Sequence, residues 1–205
     1  MSGASAKAAK ISRIRSDAVS IKGVRLIKAF SQILGQELET LKAMDHRGAC
    51  RALCIQWIIH RHQGKDFWGA MQDQAVFRQI IHQQRSFDKG EKGHGADQEK
   101  WIDIALGTAD LEIRNTTVAQ IVPNIEIGDT TLPFHLYRAK WAPPGAHAMA
   151  AHFRGPWVSF FDPNLGHFHC DSKALYHQLL NTLIFPNKRY GSGKTLTELL
   201  IREIS

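Results

Sequence analysis

The sequence predicts an α+β fold. Helical spacing of apolar residues dominates its first half, short strand-like runs bounded by Gly, Pro and Asn fill much of its second half, and a helical segment follows them.

Taken in order, residues 1–19 are rich in Ser, Ala and basic residues and carry one acid and few large apolar groups, so they are expected to form a mobile leader. An Arg-bearing, acid-poor transport signal is the other reading of that composition. Residues 20–205 then form one domain. From Ile21 to Met44 the apolar positions Ile21, Val24, Ile27, Phe30, Ile33, Leu34, Leu38 and Leu41 predict one or two helices, broken near Gly23 or Gly35. Asp45-His46-Arg47-Gly48 is a polar break. A helix over Ala49–Arg61 is apolar around much of its circumference, which predicts burial. Phe67–His82 reads as helical and ends in a loop near residues 85–96; Trp101–Leu106 is a further helix. Ala146–Phe153 and Trp157–Asp162 read as strands, with Leu165–Phe168 as a third. Asp171–Ile184 returns to helical spacing, with Asp171 or Ser172 as N-cap.

Composition excludes several classes. Of 205 residues, 43% are hydrophobic and 22% charged, which is globular rather than disordered composition. No run approaches the ~18 apolar residues of a membrane span, and no apolar stretch near the start resembles a secretory signal. Three cysteines, Cys50, Cys54 and Cys170, are too few for a disulfide framework. The net charge of +7 is concentrated near the start: residues 1–30 hold Lys7, Lys10, Arg13, Arg15, Lys22, Arg25 and Lys28 against Asp17 alone. The remainder is close to neutral, so nucleic acid is not expected as a partner, although a basic arm could contact one.

Cys50 is the first residue with chemistry to offer. It falls at the start of the predicted buried helix, where free N–H groups and the partial positive charge of the helix end favour a thiolate. Cys54 lies one turn deeper and reads as a core residue. His147 and Asp162 form the second element. A hairpin with a two-residue loop at 154–155, or a four-residue loop at 153–156, sets His147 directly opposite Asp162 on one face. An imidazole there can donate one N–H to the carboxylate and keep its other nitrogen for chemistry. His152 falls on the other face, beside the small residues Ala146, Ala148 and Ala150, which predict close packing.

These residues carry a resemblance. Gly48-Ala49-Cys50-Arg51-Ala52-Leu53 with Trp57, Gly145-Ala146-His147-Ala148-Met149-Ala150, and Phe160-Phe161-Asp162-Pro163-Asn164-Leu165-Gly166 resemble the motifs of YopT/AvrPphB-type papain-like cysteine proteases, which are bacterial effectors or toxin domains. The resemblance implies a papain-like fold, with a single catalytic domain over residues 20–205. It implies Cys50 as nucleophile, His147 as general base and acid, and Asp162 as orienter, with no cofactor and no metal. It implies an oxyanion hole with the Cys50 backbone N–H as one donor. The family's second donor is a side-chain amide shortly before the cysteine. Residues 43–49 contain no Asn or Gln, so Asp45 or His46 stands in that place. It further implies secretion by a bacterial system into a target or host cytosol, a protein substrate there, and a secretion chaperone or carrier that engages the N-terminal segment. Whether a membrane is involved is left open, and the absence of Met-Gly at the start argues against N-myristoylation.

Other signals are weaker. Gly191-Ser192-Gly193-Lys194-Thr195 lacks the first Gly of a phosphate loop and reads as a surface turn, with Thr195 or Thr197 opening a last helix or strand. His60 and His62 read as helix-end histidines. His167 and His169 share a strand face, but nothing supplies further ligands at a metal-like spacing. Two other functions remain compatible with the residues: amide transfer or deamidation by the same triad, and a non-catalytic interaction module that keeps the fold.

Overall fold

The computed structural model describes residues 3–46, 48–92, 96–119, 131–142, 145–185 and 195–205. The Gly191–Lys194 turn lies outside these, as does Arg47. Among the described residues the helices are α1 (Gly3–Val19), α2 (Gly35–Ala43), α3 (Cys50–His62), α4 (Phe67–Ala70), α5 (Gln74–Lys92), α6 (Ala96–Gly107) and α7 (Lys173–Leu179). A π-helical turn at Leu180–Ile184 extends α7. The strands are β1 (Val24–Lys28), β2 (Ile113–Ala119), β3 (Phe134–Ala142), β4 (Gly145–Arg154), β5 (Trp157–Asp162), β6 (Gly166–Cys170) and β7 (Thr195–Ile204). They make one seven-stranded antiparallel sheet in the order β1-β6-β5-β4-β3-β7-β2. The mixed helical and antiparallel architecture agrees with the expected α+β class.

Helices cover both faces of the sheet, and each face has its own core. On one side α3, α5 and α6 pack against Ala148, Ala150 and Phe161. On the other, α1 and α7 pack against Met149, Ala151, Phe160 and Phe168. The alternation along β4 therefore sends odd positions to one core and even positions to the other. The even side is alanine, and there α3 lies against the strand. Leu53, Cys54, Ile55, Trp57 and Ile58 of α3 are all fully buried, as its nearly all-round apolar sequence predicts.

Several expectations are corrected. Residues 3–19 are not a mobile leader but helix α1, with Ile11, Ile14 and Ala18 buried at helical spacing. Its alanines, which read as tail composition, are the best helix formers. Two isoleucines and an alanine make a stripe wide enough for a helix that covers the sheet from outside. Arg15 pins the helix, its Nε donating to the Leu165 carbonyl and its Nη2 to the Phe30 carbonyl, both at 2.6 Å.

Val24–Lys28 is a strand rather than part of a helix. Pairing with β6 decides it, and Gly23 at φ +91° sharply separates it from α1. Helix α5 does not end at His82 but runs to Lys92, because Phe87 continues the buried stripe of Phe77, Ile80 and Ile81 past the polar Gln84. β3 escaped the sequence pattern because it lies inside the sheet and buries residues on both faces, which erases clean alternation. The last segment, expected to open at Thr195 or Thr197 as a helix or a strand, is strand β7.

Ile14→Ala should lower the unfolding free energy by about 2–5 kcal/mol in urea denaturation, the usual cost of emptying a buried isoleucine site. A mobile leader would show no change.

Candidate active site

Cys50 is the first residue of α3, and its sulfur comes to the end of the helix that the core holds still. The helix has no side-chain cap at Ala49. Two buried glutamines do that work from elsewhere in the fold. Gln84 Oε1 accepts from the Ala52 N–H at 3.0 Å, and Gln32 Oε1 accepts from the Ala49 N–H at 2.6 Å. The Cys50 N–H meets no protein acceptor among the described residues.

The β4–β5 hairpin turns one residue later than expected. Arg154 pairs with Trp157, so the loop is Gly155-Pro156, with Gly155 at φ +59°. His147 is consequently not directly opposite Asp162. The shift displaces the pairing by two residues, which preserves the face, since only an odd slip would reverse it. The ladder ends at Ala150 and Phe161. Beyond it His147 and Asp162 approach diagonally, with His147 Nε2 2.9 Å from Asp162 Oδ1.

Asp162 is fully buried. Its Oδ1 also accepts from the Asn164 N–H at 2.8 Å, so a turn immediately after the strand orients the carboxylate. Leu165 N–H closes that turn onto the Asp162 carbonyl at 3.0 Å. The chain then passes Gly166, at φ +117°. A Cβ there would sit 2.3 Å from the Lys28 carbonyl oxygen, so only glycine permits this crossing. The segment it crosses runs on to Gln32, whose N–H donates to the Pro163 carbonyl at 2.8 Å. Gln32 Nε2 donates in turn to Asn164 Oδ1 at 3.1 Å. A chain of hydrogen bonds thus runs from the start of α3 through Gln32 and Asn164 to Asp162 and His147.

The Cys50 thiol hydrogen-bonds the His147 side chain, which closes the circuit. Burial pushes the Cys50 thiol up, but the hydrogen bond and charge of His147 outweigh it, with help from the Ala148 backbone and Arg51, so the thiol lies below its ordinary value. Burial likewise opposes charge on His147, but Asp162 and Cys50 overcome it and raise the imidazole to about 10. Both shifts favour a thiolate–imidazolium pair. Cys54 is pushed well up by burial and by Cys50, and Cys170 up to about 12 by burial and Asp171, so neither sulfur is activated.

The sequence-predicted Cys50, His147 and Asp162 are therefore brought together. Asp45 and His46 are placed differently. Asp45 is exposed, at φ 49°. His46 Nε2 pairs with Asp88 Oδ2 at 3.2 Å and its Nδ1 accepts from the Gly48 N–H at 3.3 Å, which commits both ring nitrogens. Gln32 and Gln84 were missed, since nothing in the sequence links them to a cysteine 18 residues after one and 34 before the other. His167 lies between Trp57 and Trp68, held neutral by burial, with its value lowered to about 3. Among the described residues no group of three His, Cys, Asp or Glu side chains is arranged to hold a metal.

A helix-borne thiol against a strand-borne imidazole and carboxylate defines a papain-like thiol-hydrolase architecture. Comparison with known proteins agrees. Residues 128–197 match the Peptidase_C58 family model, described as Yersinia/Haemophilus virulence surface antigen; this span contains His147 and Asp162 and begins after Cys50. Among solved structures the chain is similar to the Pseudomonas avirulence protein AvrPphB, with a TM-score of 0.58 and 18% identity over 78% of this chain and 93% of that one. No curated protein matches significantly. Over residues 128–197 the chain is thus similar to the Peptidase_C58 family, and its fold is that of AvrPphB.

Replacing Asp162 by Asn removes the charge that holds the imidazolium. The His147 value should fall, the Cys50 value should rise, and the pH profile of iodoacetamide alkylation at Cys50 should move up toward the ~8.5 of a free thiol. The unmodified protein should alkylate with an inflection below that value.

Proposed function

We propose that the chain is an endopeptidase in which Cys50, as a thiolate, attacks a peptide carbonyl carbon. The observation that carries this reading is the 2.9 Å contact between His147 and Asp162 together with the hydrogen bond from Cys50 to the same imidazole. His147 Nε2 is committed to Asp162, which leaves Nδ1 to face the sulfur. The Nδ1 proton passes to the leaving amine as the C–N bond breaks, giving an acyl-enzyme. His147 then takes a proton from water, whose oxygen attacks the thioester and returns the free thiolate. Asp162 keeps the ring upright and stabilises its charged form throughout.

The tetrahedral oxyanion needs two donors. The Cys50 backbone N–H is one, because it is free at the helix start. For the second we favour Gln32 over Asp45 and His46. Its buried carboxamide is anchored at 2.6 Å on the residue before the nucleophile, and the Asn164 contact uses only one of the two Nε2 hydrogens. An exposed carboxylate at Asp45 would repel an oxyanion.

By its likeness to the virulence-antigen family and to AvrPphB, we assign this activity to a bacterial effector or toxin that acts on proteins of a target cell after secretion. A secretion chaperone or carrier would have to engage the exposed basic side of α1, where Lys7 and Arg13 face solvent.

Incubating a target-cell lysate with the protein should generate new peptide N-termini by mass spectrometry, and Cys50→Ala should generate none. Mass increments of about one unit on glutamine without new N-termini would overturn the reading in favour of deamidation. Gln32→Glu, which keeps the shape but exchanges the amide donor for an acceptor, should lower kcat about 10²–10³-fold with little change in KM. An unchanged kcat would remove Gln32 from the oxyanion hole.

A further inference from the structure

The end of α3 remote from Cys50 carries a concavity that the protease reading does not use. Its volume is about 280 Å³, and it is lined by Arg61, Gly64, His152, Arg154, Trp157, Ser159 and His169. The side chains come from three places: the C-terminal turn of α3, the β4–β5 hairpin and the neighbouring β6. A 13-residue helix spans about 20 Å, so this cavity is well separated from the thiol.

Its lining has an unusual charge balance. Among the described residues no carboxylate lines it. Elsewhere several surface cations pair with acids: Arg25 with Asp171, Lys42 with Glu39, Arg114 with Glu112 and Lys140 with Glu198. Here, among the described residues, Arg61 donates to the Ser159 hydroxyl at 2.9 Å, with its guanidinium over the Trp57 ring. Arg154 is exposed and has no partner among the described residues. Asp171, which pairs with the lining His169 at 3.3 Å, is shared with Arg25. The two guanidiniums disfavour charge on each other and on the His152 imidazole. Burial and Arg154 lower Arg61, and burial with both arginines lowers His152 to about 4. Folding thus holds two guanidiniums together around a polar concavity whose lining, among the described residues, includes no carboxylate. An anion placed there would relieve that repulsion and meet several donors: two guanidiniums, a hydroxyl and the N–H of the His152 ring.

Trp157 adds a second observation. It is a large aromatic residue left 51% exposed at the rim. An indole face beside an anion site suits a ligand whose charged group is carried on an organic body.

We propose that this concavity binds a phosphate group, supplied either free or as the phosphomonoester of a modified side chain. Arg61 and Arg154 clamp the oxygens from two elements, Ser159 and the His152 imidazole complete the donor set, and Trp157 covers the group that carries the phosphate. The site is independent of the thiol chemistry, so its fate and that of the peptidase reading are separable.

Isothermal titration calorimetry of inorganic phosphate into the full chain, against chloride at matched ionic strength, tests it. Saturable one-to-one binding is expected for phosphate only. Arg154→Gln should weaken it roughly tenfold or more, the value of one charge-assisted contact, without disturbing the fold, because that side chain has no partner to lose. Arg61→Gln should do the same, and Cys50 alkylation should be unchanged in both. A phosphoserine peptide that binds more tightly than inorganic phosphate identifies the modified side chain as the source; equal or weaker binding identifies free phosphate. Heats indistinguishable from chloride, or affinity unaffected by Arg154→Gln, would overturn the proposal.

Discussion

The seating of α3 on the alanine side of β4 is the constraint from which the site follows. Ala148 and Ala150 present almost no side chain, so the helix approaches the strand closely and buries Leu53, Cys54, Trp57 and Ile58 completely. The first turn of the helix is thereby delivered to the place where β4 and β5 stop pairing. A larger residue at either alanine would push the helix away and carry the sulfur out of reach of His147, since close-packed interiors transmit such displacements rather than absorb them.

Around that contact the protein builds rigidity from polar groups that are fully engaged. Gln32 ties Ala49, the residue ahead of Cys50, to Asn164, Asn164 holds Asp162, and Asp162 holds His147. Arg15 secures the same two segments from outside by bonding the Phe30 and Leu165 carbonyls. Each member restricts the next, and the buried carboxylate and imidazolium are tolerable only because the network satisfies them. The electrostatic outcome is a thiol lowered and an imidazole raised in spite of burial, which resists charge on both.

The two ends of α3 face different electrostatic problems. At its start the partial positive charge and free N–H groups favour a thiolate. At its end Arg61 complements the negative pole of the helix, yet meets Arg154 across a cavity whose lining, among the described residues, includes no acid. One helix thus separates an anionic reactive centre from a cationic concavity by its own length.

The sequence by itself determined which residues are the candidates for the site. Cys50 at a helix start, and His147 and Asp162 on one face of adjoining strands, were legible because helix ends and strand alternation are local properties of the chain. Even the mistaken loop position left the face unchanged, since the error in pairing was an even number of residues. The α+β class followed from the same periodicities. Tertiary structure alone decided the rest. Residues 3–19 became a packed helix because the sheet offered a face for Ile11 and Ile14, and Val24–Lys28 became a strand because β6 offered an edge. β3 is buried on both sides, so its residues carry no alternation to read; for β7 the sequence left helix and strand open, and pairing with β3 and β2 decided it. Gln32 and Gln84 reach the start of α3 from distant positions, and such contacts exist only once the chain has closed on itself.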